Sequence, residues 1–352
     1  MLVNVAVTLL LVNAAPPAGD PSAEVDRLMR REMKSRHIPG AVVAVVHRGK
    51  VVKRTAYGLA NVELGARCRI DNVFEIGSVT KQFTATLVMM LVEDGRVKLD
   101  QSVKDLLPAA PDLWKGITVR HLLGHTSGLR NINDLKGFEL REKLDGKSFV
   151  DRLKSEPLEF EPGEKYAYRN TGYALAGYIV ERVCGKPYWE VLRDRIFLPL
   201  KMASSGDRAP EKILRGRSAG YEWEAGKLVN RGGDLTDIFA AGAIASTVGD
   251  LIKWNAAIDS CKLLKKQSIE AMHVRGTLSD GKKTNYGLGW GVGEYRGVRL
   301  ISHGGSTAGF SASISKFVDQ DVTVIVLTNL GTPNNATDLA RAVAAEYVKF
   351  PQ

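Results

Sequence analysis

Strand-like segments sit at both ends of this chain and helix-like segments fill its middle, and that order limits the available folds more than any other feature. Residues 41–46 are an apolar run, Arg48-Gly49 is a turn signal, and residues 51–57 return as a second strand. Far downstream, residues 287–292, 297–302, 310–317 and 322–329 are again β-rich and separated by turn residues. From about Leu99 to Met202 the pattern is mostly helical, broken at Pro108, Pro111, Gly124, Gly128, Pro157 and Pro162-Gly163. One helix is expected after Ser22, which can cap it, with Val25, Leu28, Met29 and Met33 on its apolar face. Others are expected from Ser78 to a stop at Gly95, over residues 173–184, and over residues 337–350. The order predicts an α/β protein of the α+β type, an antiparallel sheet drawn from both chain ends and flanked by helices, with an inserted, mainly helical lobe. The sheet lobe takes about 20–77 and 243–352 and the helical lobe about 78–242, with a cleft between them as the expected place for a site.

The 352 residues give ample core for such a fold. Residues 1–15 stand apart: an apolar run from Leu2 to Val12, too short to span a bilayer, ends in small residues and Pro16-Pro17. This predicts a signal peptide, lacking a basic start, and hence a secreted or periplasmic protein without a stable membrane span. The formal net charge of +10 is scattered; the densest patch, Arg27, Arg30, Arg31, Lys34 and Arg36, reads as a solvated helix face and not as a nucleic-acid surface. Cys68, Cys184 and Cys261 have no metal or redox spacing and read as structural.

Ser-x-x-Lys occurs three times, at Ser78/Lys81, Ser279/Lys282 and Ser313/Lys316. The second lies on an Asp-Gly turn, and the third in an alternating strand where positions three apart face opposite sides. Only Ser78 and Lys81 open a helix, where positions three apart share a face and the positive dipole end favours a developing oxyanion. A serine hydroxyl needs a base within hydrogen-bond reach, and a desolvated lysine can serve. Taken alone, the pair reads better as a capping serine with a surface lysine one turn on.

Two further elements shift the balance. Tyr168-Arg169-Asn170 precedes the helix at Tyr173: Tyr168 can relay a proton, and Asn170 can hold Lys81 and a substrate carbonyl. His303-Gly304-Gly305-Ser306 follows a strand, where glycines admit close backbone approach and amides can complete an oxyanion hole. His121-x-x-x-His125 is interrupted by Gly124 and lacks a glutamate, so no metal is assigned; no phosphate loop or dinucleotide fingerprint is present, so no cofactor is expected. Asn335-Ala336-Thr337 is a glycosylation sequon in a eukaryotic host.

Ser-x-x-Lys, then Tyr-x-Asn, then a Gly-Gly strand end resemble the active-serine β-lactamase and penicillin-binding-protein superfamily. The likeness extends to His121-Leu122-Leu123-Gly124-His125-Thr126-Ser127-Gly128-Leu129, to the segment from Ile196 to Met202, to Ser246–Leu251 and to Tyr286-Gly287-Leu288-Gly289-Trp290. It implies a single catalytic domain over 20–352 with a β-lactamase/transpeptidase-like fold. It further implies a serine hydrolase in which Ser78 attacks a carbonyl, Lys81 takes its proton, Tyr168 serves the leaving group and the deacylating water, and the amides of Ser78 and Ser306 form the oxyanion hole. Class C β-lactamases, family VIII esterases and D-amino-acid-specific peptidases are the implied relatives. Many penicillin-recognising members carry Lys-Thr-Gly where this chain has His303-Gly304-Gly305, and a neutral histidine anchors a carboxylate less well while still offering one hydrogen bond. Esters, then D-peptides, then β-lactams are the expected small-molecule substrates, in falling order. A catalytically idle binding or assembly protein of the same fold is the reading from another class. The weakly patterned stretches 130–160 and 205–240 are expected to shape the cleft.

Overall fold

The structure is a computed structural model that describes residues 20–137, 144–209, 211–232, 238–331 and 335–351. The leader expected at residues 1–15 lies outside the described residues. Strands β1 (Gly40–His47), β2 (Lys50–Asn61), β3 (Ala66–Arg67), β4 (Gly291–Tyr295), β5 (Val298–Thr307), β6 (Phe310–Phe317) and β7 (Val322–Thr328) form one antiparallel sheet. Their order across it is β3-β2-β1-β7-β6-β5-β4. The two ends of the chain meet at its centre, with Ala41 opposite Thr328 and His47 opposite Val322.

These central strands are mostly apolar, with Thr323 and Thr328 the polar positions of β7, because both of their faces are covered. Val43, Val45, Val322, Val324 and Val326 pack against helix α1 (Pro21–Ser35) and the closing helix α4 (Asn335–Ala344) through Val25, Met29, Leu339 and Val343. Val42, Ala44, Ile325 and Leu327 face the other way, into a core shared with helices α2 (Thr80–Glu93) and α3 (Asn170–Cys184).

Several sequence expectations are corrected. The cap of α1 is Asp20, whose carboxylate accepts from the Ser22 amide at 2.9 Å, while the Ser22 hydroxyl receives Lys53 Nζ at 2.9 Å. Ser78 sits in a 3-10 turn, Gly77–Val79, just before α2. The strand expected at 287–292 begins only at Gly291, and β5 runs on through Thr307, so His303 to Ser306 lies within a strand instead of following one. The hairpin Tyr221–Glu224 and Lys227–Asn230 breaks the mainly helical insert; its turn residues Ala225 and Gly226 both have positive φ, 47° and 80°, the geometry whose twist suits antiparallel strands. Asn335 of the sequon is buried, leaving no room for a glycan.

Three arginines of the basic patch are answered within the protein: Arg27 pairs with Glu24, Arg31 with Glu32, and Arg36 with both Glu32 and Asp338. The three cysteines are free and half-buried, and burial pushes the Cys68 thiol up to about 12. Among the described residues, no helix is long and apolar enough to cross a membrane.

Candidate active site

Two close backbone approaches assemble the site. A Cβ on Gly305 would lie 2.0 Å from the Ile76 carbonyl oxygen and 2.9 Å from the Ser78 amide, and one on Gly77 would lie 2.8 Å from the Ser306 amide. Glycine at both places lets β5 rest directly on the turn that carries Ser78, and this brings the Ser78 and Ser306 amides into one neighbourhood. Gly77 also has φ of +50°, a conformation costly for other residues. Beyond Ser302, β4 no longer pairs with β5, so one edge of His303 to Thr307 has no strand partner among the described residues. That edge walls a cavity of about 300 Å³ lined by Ser78, Tyr168, His303, Gly304, Ser306 and Thr337.

Lys81 is wholly buried one turn along from Ser78. Its Nζ lies 3.0 Å from Ser78 Oγ, 2.9 Å from Asn170 Oδ1 and 2.7 Å from the Ala241 carbonyl oxygen. Burial drives its pKa well below the ordinary lysine value. A neutral amine has two N–H donors and one lone pair. Asn170 Oδ1 and the Ala241 oxygen can only accept, so they take the two donors, and the lone pair is left facing the Ser78 hydroxyl. Asn170 is held in turn, because its Nδ2 donates to Asn133 Oδ1 at 2.9 Å. That draws one of its two amide hydrogens away from any substrate carbonyl.

Tyr168 has its hydroxyl within hydrogen-bonding reach of Ser78, and the enclosure of that end raises its pKa above the usual tyrosine value. The residue as a whole is 37% exposed. His125 grips the segment on either side of it: the His125 carbonyl accepts from the Ala167 amide at 2.9 Å, and Nδ1 accepts from the Arg169 amide at 3.2 Å. The His125 and Tyr168 rings lie 4.2 Å apart. His121 and His125 therefore have separate structural tasks, His121 Nδ1 accepting from the Thr118 amide at the start of a short helix. Behind the strand end, Glu75 accepts from Thr307 Oγ1 at 2.8 Å and pairs with Arg208 at 3.1 Å.

His303 departs from the sequence expectation. Its Nδ1 lies 2.6 Å from the Gly304 carbonyl oxygen, an acceptor only, so Nδ1 carries the proton. Nε2 then accepts from the Tyr286 hydroxyl at 2.7 Å. Both nitrogens are occupied, and burial pushes the pKa down to about 3. No donor is left for a substrate and no cation for a carboxylate.

The other two Ser-x-x-Lys pairs are not assembled. Lys282 pairs with Asp280 on its exposed turn, and Lys316 pairs with Asp259 while Ser313 meets Ser315. The site residues without a signature of their own are Ala241, Asn133, Tyr286 and Thr337. Ala241 contributes a backbone atom, which no side-chain pattern can mark. His125 and Tyr286 stand in segments that carry the family resemblance, and that is the one signal that pointed to them.

Neutral buried histidines set an acid limit on stability. The folded pKa is about 3 for His303 and about 4 for His273, and that of His125 is well below normal, all chiefly through burial. Below about 6.5 the unfolded chain takes up protons that the folded one refuses, so stability is complete above that pH and is lost as pH falls toward these values. Melting temperature is expected to be level near pH 7 to 8 and to drop steadily from about 6.5 to 4.5. A level trace through that lower window would contradict the neutral assignments.

With the geometry established, the chain can be placed. It belongs to the beta-lactamase family, whose profile matches residues 25–349. Within that family it is a serine hydrolase. It is 31% identical over 346 residues to penicillin-binding protein 4 of Amycolatopsis lactamdurans, covering 90% of this chain and 88% of that one. The octameric penicillin-binding protein homologue from Pyrococcus abyssi superposes with a TM-score of 0.79 at 27% identity, covering 92% of this chain and 76% of that one. A D-stereospecific amidohydrolase from Streptomyces sp. superposes with a TM-score of 0.77 at 25% identity, covering 93% and 98%.

Proposed function

We propose that this chain hydrolyses amide and ester bonds of D-amino-acid derivatives through an acyl-enzyme on Ser78. The observation that carries the reading is the Lys81 amine, whose two donors are spent on Asn170 and Ala241 and whose lone pair faces Ser78 Oγ. In the reaction, Lys81 Nζ takes the Ser78 proton as Oγ bonds to the carbonyl carbon. The resulting oxyanion lies by the Ser78 and Ser306 amides, each donor worth roughly 3 kcal/mol of barrier. Tyr168, whose raised pKa keeps its proton on at neutral pH, delivers that proton to the leaving nitrogen or oxygen as the bond to carbon breaks. Tyr168 recovers a proton from Lys81, and water then attacks the acyl-enzyme with Lys81 and Tyr168 serving again.

The substrate class rests on two supports. His303 offers neither charge nor donor to the carboxylate that sits beside the scissile bond of β-lactams, which disfavours efficient β-lactam hydrolysis. The likeness to a D-stereospecific amidohydrolase favours D-configured acyl groups. Export to the periplasm or medium is proposed with it, from the leader pattern.

The test is parallel turnover of D- and L-phenylalanine p-nitroanilide, p-nitrophenyl butyrate and a chromogenic cephalosporin. D-anilide and ester turnover at least tenfold above L-anilide and cephalosporin is expected. Preferred cephalosporin turnover would overturn the substrate class. No turnover of any of them, with no acyl adduct on Ser78, would favour the idle-scaffold reading.

A further inference from the structure

A second cavity lies further along the strand and helix that meet at Thr337. A Cβ on Gly304 would meet Thr337 Oγ1 at 2.7 Å, so α4 lies over β5 at that point. Ser302 is two residues from Gly304 on the same strand face, and Arg341 is one helical turn from Thr337 on the same helix face. Ser302 and Arg341 line a second cavity, of about 540 Å³, together with Arg275, Arg299 and Glu294. Gly291 and Gly293 of the edge strand β4 put no side chain into it, which keeps it open.

The lining sets three cations against one carboxylate, and the cations are poorly answered. Arg275 is held by neutral oxygens, the Thr284 carbonyl at 2.8 Å and Asn285 Oδ1 at 2.7 Å. The Arg299 guanidinium has no partner among the described residues. Arg341 has a buried Nε without a hydrogen-bond partner, and its nearest carboxylate, Asp338, is 4.0 Å away. A guanidinium desolvated at one nitrogen and facing an open cavity is best satisfied by an anion that can accept from its fork.

The direction follows from the proton donor. Tyr168 must lie on the leaving-group side of the scissile bond; its ring lies 6.2 Å from that of His303, and both line one cavity with Gly304 and Thr337. A leaving group departing that way meets Thr337 first and the Arg341 cavity one step later, about 6 Å further along strand or helix. We propose that the Arg341 cavity binds a carboxylate at the far end of the leaving group, so that the favoured substrates are D-acyl peptides with a leaving segment of about two residues ending in a free acid. This rests on the acyl-hydrolase reading above and names its substrate more closely. It also fits the occupied His303: the acid is recognised beyond the first leaving residue and not beside the scissile bond.

The test compares D-Phe-Gly-Gly with D-Phe-Gly-Gly amide, and D-Phe-Gly with its amide. The longer acid is expected to exceed its amide about tenfold in kcat/KM, and the shorter pair to differ less than threefold. Arg341→Gln, which removes the guanidinium that lies 5.0 Å over the Tyr295 ring, and the surface change Arg299→Glu should each remove most of the preference for the longer acid. Turnover of the amides should stay within about twofold. Binding is read separately by calorimetry of Ser78→Ala protein with N-acetylglycylglycine and its amide, the acid binding at least fivefold tighter and Arg341→Gln erasing the difference. Equal kcat/KM for acid and amide, a loss shared by both, or equal calorimetric binding would overturn the inference. Discriminating binding without turnover of any D-peptide would instead overturn the hydrolytic reading and leave the cavity assignment standing.

Discussion

Ser78→Ala is expected to lower turnover on any substrate the wild type hydrolyses by about 10⁵- to 10⁶-fold, the scale on which removal of a nucleophilic serine acts. The size follows from what is left behind: the Ser78 and Ser306 amides still polarise a carbonyl, but no covalent intermediate can form. The substitution is mild for the fold. Ser78 is half-buried and its hydroxyl gives up one hydrogen bond to Lys81, a loss of about 1 kcal/mol. The variant should therefore melt within a few degrees of wild type, which separates chemistry from folding. Intact-mass measurement during turnover should show one acyl unit on the wild type and none on the variant. Ser279→Ala is the control, since its lysine is engaged with Asp280 on an exposed turn and its activity should match wild type. Turnover above about 1% in Ser78→Ala would remove Ser78 from the reaction, because no alternative nucleophile reaches that rate by binding alone.

The parts of this site that could be read from sequence are those whose geometry is local. Ser78 and Lys81 are three apart at a helix start, so their contact follows from helical periodicity once the helix is recognised. A sheet drawn from both chain ends was legible because a strand covered on both faces is mostly apolar, as residues 41–46 and 324–327 are. What failed was non-local. His303-Gly304-Gly305 looked like the end of a strand because glycines usually stop one, yet β6 holds β5 in register through Thr307, and tertiary pairing overrode the local signal. The fate of the His303 donor was set by the carbonyl of its neighbour and by Tyr286, and spacing says nothing of such a bond. The hairpin at Tyr221–Asn230 was hidden because its turn is Ala-Gly, without the asparagine or aspartate that usually marks one.

Lys81→Met is expected to lower kcat/KM by about 10³- to 10⁴-fold and to change the shape of the pH profile as well as its height. Methionine fills most of the lysine's volume, so the substitution removes the base without a large cavity. It strands Asn170 Oδ1 and the Ala241 oxygen, at about 1–3 kcal/mol each, and stability should drop accordingly. In the wild type, Lys81 can accept the Ser78 proton only when neutral. Burial lowers its pKa, so activity should be full above the lowered value and fall tenfold for each pH unit below it. The same depression affects folding. Between the lowered pKa and about 10.5 the unfolded lysine holds a proton that the folded one does not, so the wild type gains stability as pH rises through that window. Lys81→Met should lose the acid limb of kcat/KM and lack that gain, leaving a small residual rate that rises with hydroxide. Two readouts thus move together for one cause, and a general loss of structure would move neither in this way. If Lys81→Met kept the acid limb, the titrating group would have to be another; transfer of the base role to Tyr168 would give a different limb. That tyrosine would then have to ionise against a pKa raised by its surroundings, so the activity it supported should appear only in alkaline solution.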